Sequence, residues 1–89
     1  MVTVKIPTQL RPSAGGRAEV ELDGKTVGEV LEALFLEGPD LRERITEGGQ
    51  LRRFVNVYLG GEDIRFGDGL ETIVEDGSEL TILPAVAGG

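Results

Sequence analysis

Few side chains of this 89-residue chain are suited to chemistry, because it contains no cysteine and no histidine. Thiolate nucleophiles, imidazole bases and conventional zinc sites depend on those residues. The small-residue tail at the end of "TILPAVAGG" has one functional group, the carboxylate of Gly89, which follows Gly88. Glycine has no Cβ, so another protein can approach this carbonyl carbon closely. If chemistry takes place on this chain, we therefore expect a partner to supply most of the machinery.

The residues before the two glycines predict a thin tail on a compact domain. Pro84 cannot donate a backbone hydrogen bond, so we expect it to end the pairing of the last strand. Ala85, Val86 and Ala87 offer little side-chain area to pack, and chain termini are where order is weakest. We therefore expect a folded domain over residues 1–84 and a flexible tail over residues 85–89, with Pro84 and the three small residues contacting a partner.

Alternation of apolar and polar residues predicts the strands that must position this tail. It occurs over residues 2–6, 17–22 and 53–59, and the second of these segments directs Ala18 inward together with Val20 and Leu22. A shorter edge strand is predicted at residues 62–66 and a final strand at 80–83. Residues 7–16 contain two prolines and a glycine pair, which predicts a loop.

One main helix is predicted between the second and third strands. Apolar residues recur at helical spacing from Val27 to Leu34, and Thr26 and Glu29 have the spacing of a capping box. Gly38 and Pro39 are expected to end this helix, and residues 40–45 to add one or two helical turns.

This order of elements predicts an α+β fold. We expect a β-grasp, or ubiquitin-like, domain with a mixed sheet of four or five strands and one main helix on one face. Its first and last strands run parallel at the centre, and the crossover through the helix is right-handed. The residues expected on the face that the helix leaves uncovered are Thr3, Lys5, Tyr58, Thr81 and Leu83. We interpret Phe54, Tyr58 and Leu83 as a partner-binding patch. The alternative is that Phe54 packs under a loop and that Tyr58 is an ordinary half-exposed strand residue.

Charge and hydropathy exclude several classes of partner. The net charge is −7, and Arg52 and Arg53 form the only adjacent basic pair, so we expect no nucleic-acid partner. No apolar run approaches the roughly 20 residues that span a bilayer, and the N-terminus lacks signal-peptide features. The expectation is a cytoplasmic protein without a membrane partner, monomeric when free. The acidic loop "GEDIRFGDG" lacks the ligand spacing of a calcium-binding EF-hand loop.

The chain resembles a known family, and the motifs that carry the resemblance lie in its C-terminal half. "LPAVAGG" is similar to the C-terminus of the MoaD/ThiS ubiquitin-like sulfur carriers, and the resemblance covers nearly the whole chain. "RFVNVYLGGEDIRF" and "GLETIVEDGSELTILPAVAGG" are most similar to the branch of that family that serves cysteine biosynthesis. Small subunits of molybdopterin synthase share the style of tail and the "DGSEL" turn but match "RFVNVYL" less well.

The resemblance implies a co-substrate that carries sulfur rather than an enzyme. In the family, an activating enzyme adenylates the C-terminal carboxylate with ATP, and sulfur displaces AMP to leave a thiocarboxylate. A pyridoxal-phosphate enzyme similar to cysteine synthase then takes the sulfur, and a metallopeptidase releases the product. No bound cofactor is expected in this chain, since ATP, zinc and pyridoxal phosphate would belong to these partners.

Other functions stay open on the sequence alone. The chain resembles the small subunit of molybdopterin synthase, and one carrier can serve several pathways, including thiamine synthesis and secondary metabolism. A protein modifier that forms isopeptide bonds with lysines is an alternative of a different class. A binding module whose terminal glycines are incidental is another.

Overall fold

We describe the fold from a computed structural model over residues 1–84, with side chains over residues 1–83. It contains seven strands and two α-helices within that part of the chain. In chain order these are β1 (Val2–Lys5), β2 (Glu19–Leu22), α1 (Val27–Glu37), α2 (Asp40–Ile45), β3 (Thr46–Glu47), β4 (Gln50–Leu51), β5 (Val55–Leu59), β6 (Glu62–Asp63) and β7 (Glu79–Pro84). Three short 3-10 helices occupy Thr8–Ala14, Ile64–Phe66 and Gly69–Glu71.

Five strands form a mixed sheet in the order β2-β1-β7-β5-β6. The central pair, β1 and β7, is parallel, with Val4 opposite Leu80, and the other three pairings are antiparallel. This arrangement confirms the predicted β-grasp fold. A separate hairpin joins β3 and β4 through Gly48 and Gly49, whose φ angles of 61° and 82° favour glycine.

Helix α1 follows β2 in the chain, and its apolar side faces the core. Val27, Val30, Leu31 and Leu34 are at most 2% exposed, as their helical spacing predicts. From the sheet, alternate residues of the central strands enter the same core. Those from β1, β5 and β7 are Val2, Val4, Val55, Val57, Leu80 and Ile82. The sheet therefore has one face buried against the helices and an opposite face, here called the open face.

The ends of α1 are fixed by local chemistry. Thr26 is the N-cap, and its Oγ1 accepts a hydrogen bond from the Glu29 amide at 3.2 Å. The Glu29 carboxylate accepts from the amide of Lys25 at 2.9 Å, one residue before the position that a standard capping box uses. At the other end, a Cβ on Gly38 would collide with the carbonyl oxygen of Ser13, so only glycine fits there.

Four sequence-based expectations were wrong. The edge strand predicted at residues 62–66 is limited to β6, and Ile64–Phe66 forms a 3-10 helix instead. The segment predicted as a loop contains the 3-10 helix Thr8–Ala14, which buries Leu10 and Ala14 in the core. Ala18, predicted to face inward, is exposed and precedes β2. Phe54 was expected to lie within the third predicted strand, but it lies in a turn just before β5.

Candidate functional site

Strand β7 brings the chain to one end of the sheet. In its antiparallel register with β5, Leu83 lies opposite Asn56 and Pro84 opposite Val55, the first residue of β5. Pro84 is thus the last residue of β7 within the described part of the chain, and it lies at this corner of the sheet. The predicted site residues Ala85, Val86, Ala87, Gly88 and Gly89 lie outside the described part of the chain.

Two exposed apolar side chains lie on the elements that meet at this corner, and a half-buried tyrosine lies further along β5. Leu83 is 46% exposed, whereas its neighbour Ile82 is 1% exposed on the opposite face of the same strand. Tyr58 is half-buried on the open face of β5, opposite Thr81. Phe54, at 54% exposed, lies in the turn that enters β5. The structure therefore places the three predicted patch residues on neighbouring elements next to the end of β7.

Arg65 forms hydrogen bonds to the turn beside this patch, and no sequence pattern predicted this role. Its Nη1 donates to Asn56 Oδ1 at 2.7 Å, and its Nη2 donates to the carbonyl oxygens of Arg52 and Val55, each at 2.8 Å. The residue belongs to the 3-10 helix Ile64–Phe66, which begins where the Asp63 carboxylate accepts from the Arg65 amide. These hydrogen bonds could not be predicted from the sequence, because the acceptors lie 9 to 13 residues away from Arg65 along the chain.

A separate cavity of about 720 Å³ lies on the helical side, and none of its lining residues belongs to the five-stranded sheet. Its apolar wall includes Phe35 and Leu70, and Arg42 and Glu32 stand at its rim. Arg42 holds Glu32 in two hydrogen bonds of 2.6 and 2.9 Å and lies 4.9 Å from the centre of the Phe35 ring. The hydrogen bonds from Arg42 lower the pKa of the Glu32 carboxyl.

The described residues were compared with the requirements of a metal site and of a membrane-spanning helix. Within residues 1–84, no group of three or more acidic, cysteine or histidine side chains is arranged to hold a metal ion. No helix in that part of the chain is long and apolar enough to cross a membrane.

Comparison with known proteins extends the similarity beyond the fold. Residues 4–89 match the model of the ThiS family. The sulfur carrier protein CysO of Mycobacterium tuberculosis (strain ATCC 25618 / H37Rv) is 48% identical over 91 residues, which cover 99% of this chain and 98% of that protein.

Two solved structures superpose along almost the entire length. The matched chain in the crystal structure of the Amycolatopsis orientalis BexX/CysO complex is 48% identical, with a TM-score of 0.94 and full coverage of both chains. The solution structure of small archaeal modifier protein 1 from Methanosarcina acetivorans is 38% identical, with a TM-score of 0.88, and the match covers 99% of this chain and 95% of that one. From the β-grasp topology, the family match over residues 4–89 and the identity to CysO, this chain belongs to the ThiS/MoaD family of ubiquitin-like sulfur carriers.

Proposed function

We propose that this chain carries sulfur as a thiocarboxylate on Gly89 and donates it in cysteine biosynthesis. The observation that carries the proposal is the 48% identity to the sulfur carrier CysO, which extends over 99% of this chain. The local structure supports it, because Pro84 lies at a corner of the sheet and only the five residues "AVAGG" lead from it to the carboxylate of Gly89. Two of these five residues are alanine and two are glycine.

The proposed activation begins on the Gly89 carboxylate. One carboxylate oxygen attacks the α-phosphorus of ATP in the active site of an activating enzyme, and pyrophosphate leaves. The resulting acyl adenylate is a mixed anhydride, so its carbonyl carbon is far more electrophilic than that of the free carboxylate. A hydrosulfide ion then attacks this carbon, AMP leaves and one proton is released, so that sulfur replaces one oxygen of the terminal group.

This chain contributes the carrier group and the docking surface rather than catalysis. Gly88 and Gly89 present a backbone without side chains, which lets the reacting carbon enter a narrow active site. The base of the tail is Pro84, and Leu83, Tyr58 and Phe54 offer apolar contacts to the partner beside it. Pro84 and residues 85–87 connect this patch to the terminal glycines. The structure of the BexX/CysO complex from Amycolatopsis orientalis supports a protein as the docking partner of such a carrier.

For the sulfur acceptor, we propose a pyridoxal-phosphate enzyme similar to cysteine synthase. In that enzyme the terminal sulfur would bond to the β-carbon of an activated serine, whose leaving group departs, and this gives a thioester between Gly89 and the new cysteine. The cysteine amine would then attack the thioester carbonyl, so that the acyl group moves from sulfur to nitrogen and the cysteinyl product stays attached to Gly89 by a peptide bond. A metallopeptidase would then release it by hydrolysis. ATP, zinc and pyridoxal phosphate belong to these partner enzymes.

The acceptor step is tested with thiocarboxylated protein prepared by cleaving an intein thioester with sulfide. Incubation with the cysteine-synthase-like enzyme of the same organism and O-phosphoserine or O-acetylserine should add one cysteinyl residue to Gly89, as measured by intact mass and C-terminal fragmentation. The matched control is the same protein with an ordinary carboxylate. If the thiocarboxylate instead converts a pterin precursor and never gains a cysteinyl group, the molybdopterin-synthase function replaces this one.

A protein modifier is the second candidate, since small archaeal modifier protein 1 of Methanosarcina acetivorans is 38% identical. In that case the Gly89 adenylate would react with lysine amines to form isopeptide bonds. A tagged chain expressed in its own organism would then give higher-mass conjugates whose lysines carry the Gly88–Gly89 remnant. Their absence, together with thiocarboxylate on the free chain, would favour the carrier function.

A further inference from the structure

A four-residue turn leads into β5 and presents Phe54. The amide of Val55 donates to the carbonyl oxygen of Arg52 at 3.0 Å, which closes a turn with Arg53 and Phe54 at its centre. Both central residues are exposed, and the Phe54 side chain keeps 54% of its surface in contact with solvent. A large aromatic side chain so exposed has little packing of its own to hold it in one position.

The guanidinium of Arg65 bonds to the first and last residues of this turn. Its Nη2 donates to the carbonyl oxygens of Arg52 and Val55, and its Nη1 donates to Asn56 Oδ1, the next residue along β5. Within residues 1–84, no other side chain from outside the turn donates a hydrogen bond to it. We call this set of three hydrogen bonds the Arg65 clamp.

The clamp lies at the corner where the tail begins. Val55, whose carbonyl accepts from Arg65, is opposite Pro84 in the sheet, and Asn56 is opposite Leu83. Arg65 therefore links the turn that carries Phe54 to the start of the strand that pairs with the end of β7. Arg52 is also held from the helical side, since its amide donates to the Ile45 carbonyl at 2.9 Å and its Nε to the Glu43 carbonyl at 2.6 Å, so Arg65 is the anchor for the Phe54 end of the turn. A planar guanidinium has several donors in a rigid fork, which suits acceptors in different directions better than the single ammonium of lysine.

We propose that Arg65 is a positioning residue for sulfur loading, which holds Phe54 at a fixed place beside the base of the tail so that the activating enzyme can dock there. This inference rests on the proposed function. Arg65 acts through Phe54 and does not itself contact the reacting carboxylate. Its loss should weaken docking without slowing the chemistry once the complex has formed.

The first test measures ATP-dependent thiocarboxylation by the activating enzyme as a function of carrier concentration. Arg65→Ala should raise KM for the carrier about tenfold, the size of effect seen when an interface anchor is lost, and leave kcat within about twofold. Arg65→Lys should behave like Arg65→Ala, because a lysine keeps the charge but cannot form the clamp. Arg44→Ala, which removes an exposed arginine from α2, is the matched control and should leave KM unchanged.

The second test separates action through Phe54 from an independent contact. Phe54→Ala should raise KM about tenfold by itself, and adding Arg65→Ala should raise it by no more than about a further twofold. Multiplicative effects of the two substitutions, or rescue of KM by Arg65→Lys, would mean that Arg65 contacts the partner directly by its charge, and would overturn the proposal.

A third measurement does not depend on enzyme activity or on the proposed function. The {1H}-15N nuclear Overhauser effects of Arg53 and Phe54 should fall in both Arg65 variants, while those of β1 and β7 stay at wild-type values. Unchanged values at the turn would overturn the clamp even if wild-type protein is loaded with sulfur. Failure of wild-type protein to gain sulfur, with a turn that loosens as expected, would instead count against the proposed function.

Discussion

Ile82 and Leu83 are neighbours on β7, yet they belong to two different environments. Ile82 points into the core beneath the helices and is 1% exposed, whereas Leu83 is 46% exposed on the open face. The same contrast holds on β5 between Val57, which is fully buried, and Tyr58, which is half-buried. Because strand side chains alternate between faces, each central strand supplies both surfaces at once.

The contrast shows how a small domain keeps stability and recognition apart. The buried face carries branched aliphatic side chains and accounts for the apolar burial that stabilises the fold. The open face carries Thr3, Asn56, Tyr58, Thr81 and Leu83, which leaves it free to contact another protein. Substitutions on the open face should therefore change binding with little effect on folding, and those on the buried face should do the reverse.

The largest stability effect should come from the buried face. Ile82→Ala should lower the free energy of unfolding by about 2–5 kcal/mol, because it removes a packed side chain and leaves a cavity. Leu83→Ala is the matched control one residue away and should cost under about 1 kcal/mol, since nearly half of its side chain is already in water. Urea unfolding followed by circular dichroism measures both. Equal losses would mean that the two faces do not differ as described.

The order should reverse when docking is measured. Leu83→Ala should raise the KM of the activating enzyme for the carrier several-fold, because an apolar contact beside the base of the tail is lost. The helix variant Leu36→Ala, which removes a leucine 82% exposed and distant in sequence from that corner, should leave KM unchanged. If both variants bind equally well, the open face near β7 takes no part in docking.

Alternation and capping are local patterns, which is why much of the fold could be predicted from the sequence. Such patterns predict the strands around Val4, Val57 and Ile82, and also the helix whose N-cap is Thr26. The 3-10 helix Thr8–Ala14 could not be predicted in this way. Its only buried residues are Leu10 and Ala14, and the prolines and glycines of this segment are typical of a loop.

The candidate site was likewise predictable only in part. Leu83 and Tyr58 could be placed on one face by alternation within β7 and β5. The Arg65 clamp depends on acceptors that only the folded chain brings together, so no sequence pattern indicated it. The roles of Gly88 and Gly89 came from the chemistry of a terminal carboxylate and from resemblance, and they stay predictions.

The smallest effect is expected for the ion pair between Arg42 and Glu32 on the helical side. The hydrogen bonds from Arg42 lower the pKa of Glu32 in the folded protein, so this pair adds stability at pH values above the ordinary carboxyl pKa. That contribution is lost as the pH falls through the lowered folded pKa. Glu32→Gln should therefore melt slightly below wild type at about pH 7, and the difference should disappear at about pH 2.

The control for this pair is Glu21→Gln, whose carboxylate forms no ion pair within residues 1–84. Its melting temperature should follow that of wild type at both pH values. A gap between wild type and Glu32→Gln that persists in acid would show that the pair acts through packing rather than through charge.

The central claim is that sulfur is carried on Gly89, and intact-mass spectrometry tests it most directly. After incubation with the activating enzyme, ATP and sulfide, wild-type protein should gain the mass of one oxygen-to-sulfur exchange, located at Gly89 by fragmentation. Deletion of Gly89 shortens the reach by about 3.5 Å, and one added residue moves the carboxylate beyond the reacting position, so neither variant should gain sulfur. Both variants should melt as wild type does, since neither change touches the core. Sulfur loading of either variant at the wild-type rate would contradict the account.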